Sequence, residues 1–113
     1  MKKTLNCLIL TIFAASTICY AAFVDGSDTY ISVANAKQLR DETPVNLKGN
    51  IIQNLGDEKY LFSDGTETII VEIDNEDWGG QDVSAKDTVI IIGEMDKDFW
   101  GTEVDVDSIQ LVQ

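Results

Sequence analysis

The strongest constraint on the fold is a period-two alternation of apolar and polar residues that recurs in short segments after Pro44, the single proline. Such alternation is typical of strands that bury one face and expose the other. Turn residues such as glycine and aspartate separate the segments, so the sequence predicts short strands joined by tight connections. The predicted strands are Val45–Ile51, Lys59–Ser63, Thr68–Asp74, Val89–Ile92 and Glu103–Leu111.

The connections between these segments add detail. Gly56-Asp57 and Asp64-Gly65 predict two tight turns, which make the first three strands a meander. The fourth segment is apolar without alternation, so we expect it to be covered on both faces. A further turn is predicted from Asp96 to Gly101. In the last strand, Ile109 keeps the apolar phase only if a residue is inserted near Ser108, which predicts a bulge.

A helix and two glycines complete the predicted architecture. Apolar residues at helical spacing follow Ser32, a residue type that caps helices, so a short helix is predicted from Val33 to Arg40. Gly49 and Gly93 lie inside strands, where glycine favours sharp bends. Five short strands with two bends predict a curled sheet closed into a small barrel. The pattern alone does not separate an OB barrel from other small barrels.

The amino-terminal end has the organisation of a cleaved signal peptide. Lys2 and Lys3 precede a mostly apolar stretch from Leu5 to Ala15, which is shorter than the about 20 residues that span a bilayer. Small residues at Cys19 and Ala21 place cleavage after Ala21. We therefore predict a signal peptide over residues 1–21, a flexible leader over 22–31 and one domain over 32–113, exported to the periplasm.

The predicted mature chain is strongly acidic. It keeps six basic residues against 20 acidic ones, a net charge of −14, and it loses both cysteines with the signal peptide. The chain contains no histidine. Without thiol or imidazole groups, catalysis by serine–histidine or cysteine–histidine sites and zinc binding by those ligands are excluded. Nucleic acid is not an expected partner, because its binding depends on lysine and arginine.

Several runs of the sequence resemble one known family, the bacterial OB-fold family of small periplasmic proteins. The resemblance lies in VNLKGNI at Val45–Ile51, LGDEKYLFSD at Leu55–Asp64, VEIDNEDW at Val71–Trp78, GEMDKD at Gly93–Asp98 and EVDV at Glu103–Val106. It implies a mainly β, five-stranded Greek-key OB barrel with one short N-terminal helix. It also implies a link to envelope stress tolerance and a role in ligand binding, with no enzymatic activity attributed to the family.

OB barrels that bind oligonucleotides or sugars use strands two and three with the loops joining strands one to two and four to five. In this sequence the two loops are Gly56–Glu58 and Asp96–Thr102. Aromatic side chains there offer stacking surfaces, although core packing is the alternative role for aromatic residues in strands. The candidate ligand-binding residues are Tyr60, Phe62, Glu72, Asp74, Trp78, Glu94 and Trp100.

The carboxylates near the last predicted turn suggest weak binding of a divalent cation. Asp96, Asp98 and Asp107 have calcium-loop spacing, but Trp100 stands where an oxygen ligand is needed and no helices flank the segment. We therefore expect no dedicated calcium site. Loose divalent binding remains a prediction, with a solvated acidic face as its alternative, and no other cofactor is expected. The candidate metal-binding residues are Asp96, Asp98, Glu103 and Asp105.

These observations predict a non-enzymatic periplasmic binding module that acts in envelope stress tolerance. The expected ligand is cationic or polyhydroxylated: a divalent cation, a basic peptide or a cell-wall saccharide. Two alternatives remain open, namely a structural protein that docks onto another envelope protein without a small ligand, and a small hydrolase that uses two carboxylates. No membrane span is expected.

Overall fold

The computed structural model describes residues 30–112. The predicted signal peptide and all but the last two residues of the predicted leader lie outside this range. Within it, no helix combines the length and apolarity needed to cross a membrane. The elements are α1 (Val33–Ala36), β1 (Pro44–Gly56), β2 (Lys59–Ser63), β3 (Thr68–Glu72), a 3₁₀ helix (Asn75–Trp78), β4 (Val89–Asp98) and β5 (Gly101–Leu111).

The five strands close into a barrel in the order β1-β2-β3-β5-β4, and β4 pairs back onto β1. Neighbouring strands are antiparallel except β3 and β5. These two run parallel over a short stretch, Ile70–Glu72 against Glu103–Asp105. This is the connectivity of a five-stranded Greek-key OB barrel, so the predicted fold class is confirmed.

Apolar side chains from every strand fill the barrel interior. Successive strand residues point to opposite faces, so the period-two pattern sends one set inward and the other to the outer wall. On β3, for example, Ile69 and Val71 are buried whereas Ile70 and Glu72 between and after them are only half-buried. The buried core residues are Val33, Ala36, Val45, Leu47, Ile51, Phe62, Ile69, Val71, Ile73, Val89, Ile91, Met95, Val104, Val106 and Ile109.

Gly49 and Gly93 mark positions where two backbones approach closely. A Cβ atom at Gly49 would collide with the backbone oxygen of Ser63 on β2, and one at Gly93 with the backbone oxygen of Asp105 on β5. A larger residue at either position therefore requires the strands to move apart.

The helix begins as predicted and ends earlier. Ser32 caps it, because its hydroxyl oxygen accepts a hydrogen bond from the backbone nitrogen of Asn35 at 3.0 Å. The α-helix spans Val33–Ala36 and does not reach Arg40. The amide of Lys37 still donates to Val33 four residues back, but that of Gln38 donates to Asn35 three residues back, so the chain tightens into a 3₁₀-type turn.

β4 is longer and less covered than the sequence predicts. It continues to Asp98, so the turn expected over Asp96–Gly101 shrinks to Phe99 and Trp100. Ile92 is 46% exposed, and the expectation that this apolar run is covered on both faces is wrong at that residue. The reason is that the walls of an antiparallel barrel can face water on their outer side.

Irregular pairing bends both β5 and β1. The predicted bulge is confirmed, because Ile92 pairs with Ser108 whereas Gly93 pairs with Val106, which leaves Asp107 without a partner in the ladder. β1 extends beyond its predicted end and carries two register shifts in its last residues, 51–56. This irregular end of β1 forms one wall of the site described next.

Candidate functional site

An open groove with an aromatic pair lies beside the irregular end of β1, and we name it the aromatic groove. Its volume is about 430 Å³. Tyr60 on β2 and Trp78 at the end of the 3₁₀ helix lie in its wall, with ring centroids 5.3 Å apart and ring planes at 79°. This edge-to-face geometry is a favourable one for aromatic pairs. The groove is also lined by Ile52, Gln53, Asn54, Gln81, Asp82 and Val83.

The register shift in β1 gives the groove both apolar and polar walls. Ile51 is buried in the barrel, whereas the adjacent Ile52 is 43% exposed and lines the groove. Gln53 and Asn54 follow with exposed side chains. Side-chain amides both donate and accept hydrogen bonds, so the groove combines an apolar surface with a versatile polar rim.

Gln81 fixes the segment that carries Trp78. Its Nε2 donates to the backbone oxygens of Trp78 at 2.8 Å and of Ile109 at 2.9 Å. Its Oε1 accepts from the backbone nitrogen of Leu111 at 3.0 Å. The tryptophan is thus tied to β5 through one half-buried amide. Sequence reasoning missed Gln81, because one glutamine in a polar connection carries no pattern.

The structure separates the predicted ligand-binding residues. Tyr60 and Trp78 come together in the aromatic groove, whereas Trp100 lies in the β4–β5 turn. Phe62 is fully buried in the barrel, so its assignment as a ligand contact is wrong. Tyr60 and Phe62 point to the same side of β2, but Tyr60 lies against Trp78 in the wall of the groove and remains half-exposed.

Of the remaining ligand-binding candidates, Glu72 and Glu94 lie on the outer wall of the barrel, on a surface that we name the acidic face, and Asp74 lies at its edge. Cross-strand pairing places Glu94 opposite Asp105 and Asp96 opposite Glu103, while Glu72 on β3 is level with Asp105. Because paired residues share a face, these side chains form one continuous acidic surface. The acidic face comprises Glu72, Glu94, Asp96, Glu103 and Asp105.

Lys59 is the cation of this surface. Its Nζ donates to both carboxylate oxygens of Glu103 at 2.8 Å, and this contact raises the pKa of Lys59. The ion pair joins β2 to β5 across β3. Beside the acidic face lies a smaller cavity of about 200 Å³, whose wall includes Asp41, Glu42 and Asp105.

Three carboxylates approach one another at the edge of the acidic face. One oxygen each from Glu58, Glu72 and Asp74 lies within 4.8 Å of the other two. Glu58 also accepts a hydrogen bond from the backbone nitrogen of Asn75 at 3.1 Å. Glu58 was not among the predicted metal-binding residues, because its closeness to Asp74 depends on how the β2 and β3 strands pair.

The carboxylates of the acidic face lie close together, and the pKa values of two of them are raised. Partial burial raises the pKa of Glu72, and the charge of Asp105 raises it further, against the opposing effect of Lys59. The pKa of Asp105 is raised by its loss of surrounding water and then by Asp107 and Asp74. Both carboxylates are therefore charged at a free-energy cost in the folded protein.

The segment with calcium-loop spacing forms a hairpin and not a loop. Asp96 and Asp98 lie on β4, and Asp107 is the bulge residue of β5. One oxygen of Asp98 already accepts hydrogen bonds from the backbone nitrogens of Trp100 at 2.7 Å and Gly101 at 3.0 Å. Asp98 thus shapes the turn, and one of its oxygens is already used there.

The geometry defines a class: a five-stranded OB barrel with an aromatic groove at one side and an acidic outer wall. Residues 15–111 match the family described as "Bacterial OB fold (BOF) protein", and the chain belongs to this family. The resemblance seen in the sequence is thereby confirmed.

Individual relatives agree with this assignment. Protein YgiW of Escherichia coli K12 is 48% identical over 81 residues, which cover 72% of this chain and 62% of that protein, so the match spans less than two thirds of the relative. The calcium-regulated OB-fold protein CarO of Pseudomonas aeruginosa is 35% identical over 109 residues, covering 94% of each chain. The solved structure of the hypothetical protein ygiW from E. coli has a TM-score of 0.73 at 46% identity, covering 76% of this chain and 92% of that one.

Proposed function

We propose that this protein is a non-enzymatic binding module of the periplasm that serves envelope stress tolerance and holds a cell-wall saccharide in its aromatic groove. The groove is the observation that carries the proposal. Saccharides present apolar ring faces together with hydroxyl groups that donate and accept hydrogen bonds. OB barrels are a fold that binds oligosaccharides.

The walls of the groove suit such a ligand. Tyr60 and Trp78 supply aromatic surface, and Ile52 and Val83 extend it. The amides of the rim match hydroxyl groups in both directions. Ligand sites commonly have this composition, a mostly apolar surface with a few polar groups that fix orientation.

A binding role is favoured over hydrolysis by the distribution of carboxylates. Glycoside hydrolysis uses two carboxyl groups on either side of the scissile bond. Asp82 is the one carboxylate in the described wall of the groove. The two carboxylates of the acidic face with raised pKa, Glu72 and Asp105, lie on the outer wall and not in the groove.

The proposal is tested by fluorescence and thermal unfolding with oligomers of N-acetylglucosamine as the probe. The chain has two tryptophans, so Trp100→Phe leaves Trp78 as the sole reporter in the groove. We expect a change in Trp78 emission and, at 100 times the dissociation constant, stabilisation by about 2.7 kcal/mol. Tyr60→Ala should abolish both responses, and Gln53→Ala, at an exposed residue, should weaken them without altering the fold.

A matched control and a second ligand make the outcomes distinct. Gln110→Ala, an exposed substitution on β5, should leave the saccharide response unchanged. Calcium is titrated in parallel. One contrary outcome is a calcium response without a saccharide response. If that calcium response survives Tyr60→Ala but is lost in Glu72→Gln, the binding site is the acidic face and not the aromatic groove. No response to either probe would contradict the proposal and favour docking onto another envelope protein.

A further inference from the structure

The turn between β4 and β5 displays two aromatic side chains that nothing in the described part of the chain covers. Phe99 is 91% exposed and Trp100 is 88% exposed, whereas the other exposed large apolar residues are less than half exposed. Their ring centroids lie 5.3 Å apart at an interplanar angle of 86°. We name this pair the aromatic tip. Exposed apolar surface of this kind marks an interaction site more often than isolated exposed residues do.

Hydrogen bonds hold the backbone that carries the aromatic tip. Asp98 accepts from the backbone nitrogens of Trp100 and Gly101, which closes the turn. At its base, the hairpin is bonded to the segment before β1: the backbone nitrogen of Lys97 donates to Asp41 at 2.7 Å, and that of Met95 donates to Thr43 at 2.9 Å. A turn whose backbone is already held in this way loses little backbone entropy on binding.

The charge around the aromatic tip is negative. Asp98 lies at its base, and Asp96 and Glu103 form the next cross-strand pair on the same face of the hairpin. Two lysines lie close to this region. Lys59 is paired with Glu103, and the Nζ of Lys97 donates to the backbone oxygen of Lys37 at 2.7 Å. In the described part of the chain, Asp96 and Asp98 form no salt bridge, and they supply the negative charge beside the tip.

We propose that the aromatic tip is a docking anchor for a basic amphipathic segment of a partner protein, that is, an apolar patch flanked by lysine or arginine. Tryptophan is enriched among the residues that dominate interface energies, and large aromatic rings supply much apolar contact area. The carboxylates beside the tip favour a partner whose apolar patch is surrounded by basic residues. This surface is separate from the aromatic groove, so it adds a second binding function to the proposed one.

Calorimetric titration of the purified protein with three synthetic helical peptides tests this inference. The first carries a leucine face flanked by lysines, the second the same leucine face flanked by glutamates, and the third lysines with serine in place of leucine. We expect binding of the first peptide alone. Equal binding of the glutamate peptide, or of the serine peptide, would overturn the proposal, because it requires both the apolar and the basic element.

Substitutions locate the binding to the aromatic tip. Phe99→Ser combined with Trp100→Ser should lower affinity for the leucine–lysine peptide at least tenfold, while Ile92→Ser, an exposed apolar residue on the same hairpin, should not. Asp96→Asn should weaken binding several-fold and reduce its dependence on salt, because screening acts on exposed charges. Unchanged affinity in the double variant would overturn the proposal. So would a blue shift of tryptophan emission with phosphatidylcholine vesicles and none with the peptide, which would identify a lipid surface as the occupant.

Discussion

Asp64 joins the helix to the β2–β3 turn through a single carboxylate. One oxygen accepts from the backbone nitrogen of Val33 at 2.7 Å, and the other accepts from the backbone nitrogen of Thr66 at 2.9 Å and from its hydroxyl. Partial burial alone would raise the pKa of Asp64, but these hydrogen bonds outweigh it and lower the pKa. The charged form is therefore the one that holds α1 on the barrel.

We predict that Asp64→Asn lowers the free energy of unfolding by about 2 kcal/mol, because the amide replaces a charged acceptor with a weaker one and turns a donor toward a backbone donor. Urea denaturation at neutral pH measures the change. Asp57→Asn is the matched control, since Asp57 is exposed in the β1–β2 turn at a φ of 56°, a conformation that asparagine also adopts. Equal stability of the two variants would show that Asp64 has no anchoring role.

At the scale of the strand, Gly93 allows β4 and β5 to pack closely, because it has no side chain. We predict that Gly93→Ala lowers the free energy of unfolding by more than about 2 kcal/mol, because the added methyl group meets the backbone of Asp105 and not a flexible side chain. Thermal unfolding monitored by circular dichroism is the measurement. Gln110→Ala tests whether alanine on an exposed strand position is itself harmful, and we expect its effect to stay within about 0.5 kcal/mol. A Gly93→Ala variant as stable as this control would contradict the close approach of the two strands.

The elements also show what a sequence pattern can and cannot predict. Period two identified four of the five strands, and a continuous apolar run identified β4. The phase change around Ser108 located the bulge, because burial of one face imposes period two. Strand ends were less accurate, since β4 continues through polar residues that its pairing with β5 stabilises. Phe62 and Tyr60 have the same local pattern, and their burial differs because different elements of the fold pack around each of them, which the local sequence does not encode.

The local sequence pattern also fails to predict how the candidate site is assembled. Tyr60 and Trp78 were both predicted from residue type, yet their contact depends on the 3₁₀ helix and on Gln81, whose partners lie on β5. Such long-range hydrogen bonds leave no periodic signal. The acidic face was predicted more completely, because four of its five residues alternate along one hairpin, where strand pairing and sequence spacing coincide.

At the scale of the whole molecule, acidic residues outnumber basic ones by 20 to eight, and the barrel gathers several of them on one wall. Self-repulsion of this kind destabilises a compact state while keeping it soluble. The barrel tolerates it because the core is apolar and the carboxylates remain at the surface. The free energy of unfolding should therefore change with pH and salt, because both alter the repulsion among carboxylates on the acidic face while the core stays intact.

The pH dependence follows from two opposing groups of carboxylates. Glu72 and Asp105 have pKa values raised above their ordinary values of 4.5 and 3.8, so the folded state binds protons more tightly than the unfolded chain. Their charge costs stability at neutral pH, and that cost disappears as pH falls through the raised values. Asp64 has a lowered pKa, so its contribution is present above its ordinary value of 3.8 and is lost as pH falls further.

We therefore predict that the free energy of unfolding rises when pH is lowered from neutral toward about 5, and falls again below about 4. Urea midpoints measured at low salt across this range test the profile. Glu72→Gln should raise stability at neutral pH and flatten the rise, whereas Asp64→Asn should reduce the fall in acid and leave the rise intact. High salt should also flatten the rise, because it screens exposed charges. Stability that decreases steadily from pH 7 to pH 5 in dilute buffer would show that repulsion on the acidic face does not limit this fold.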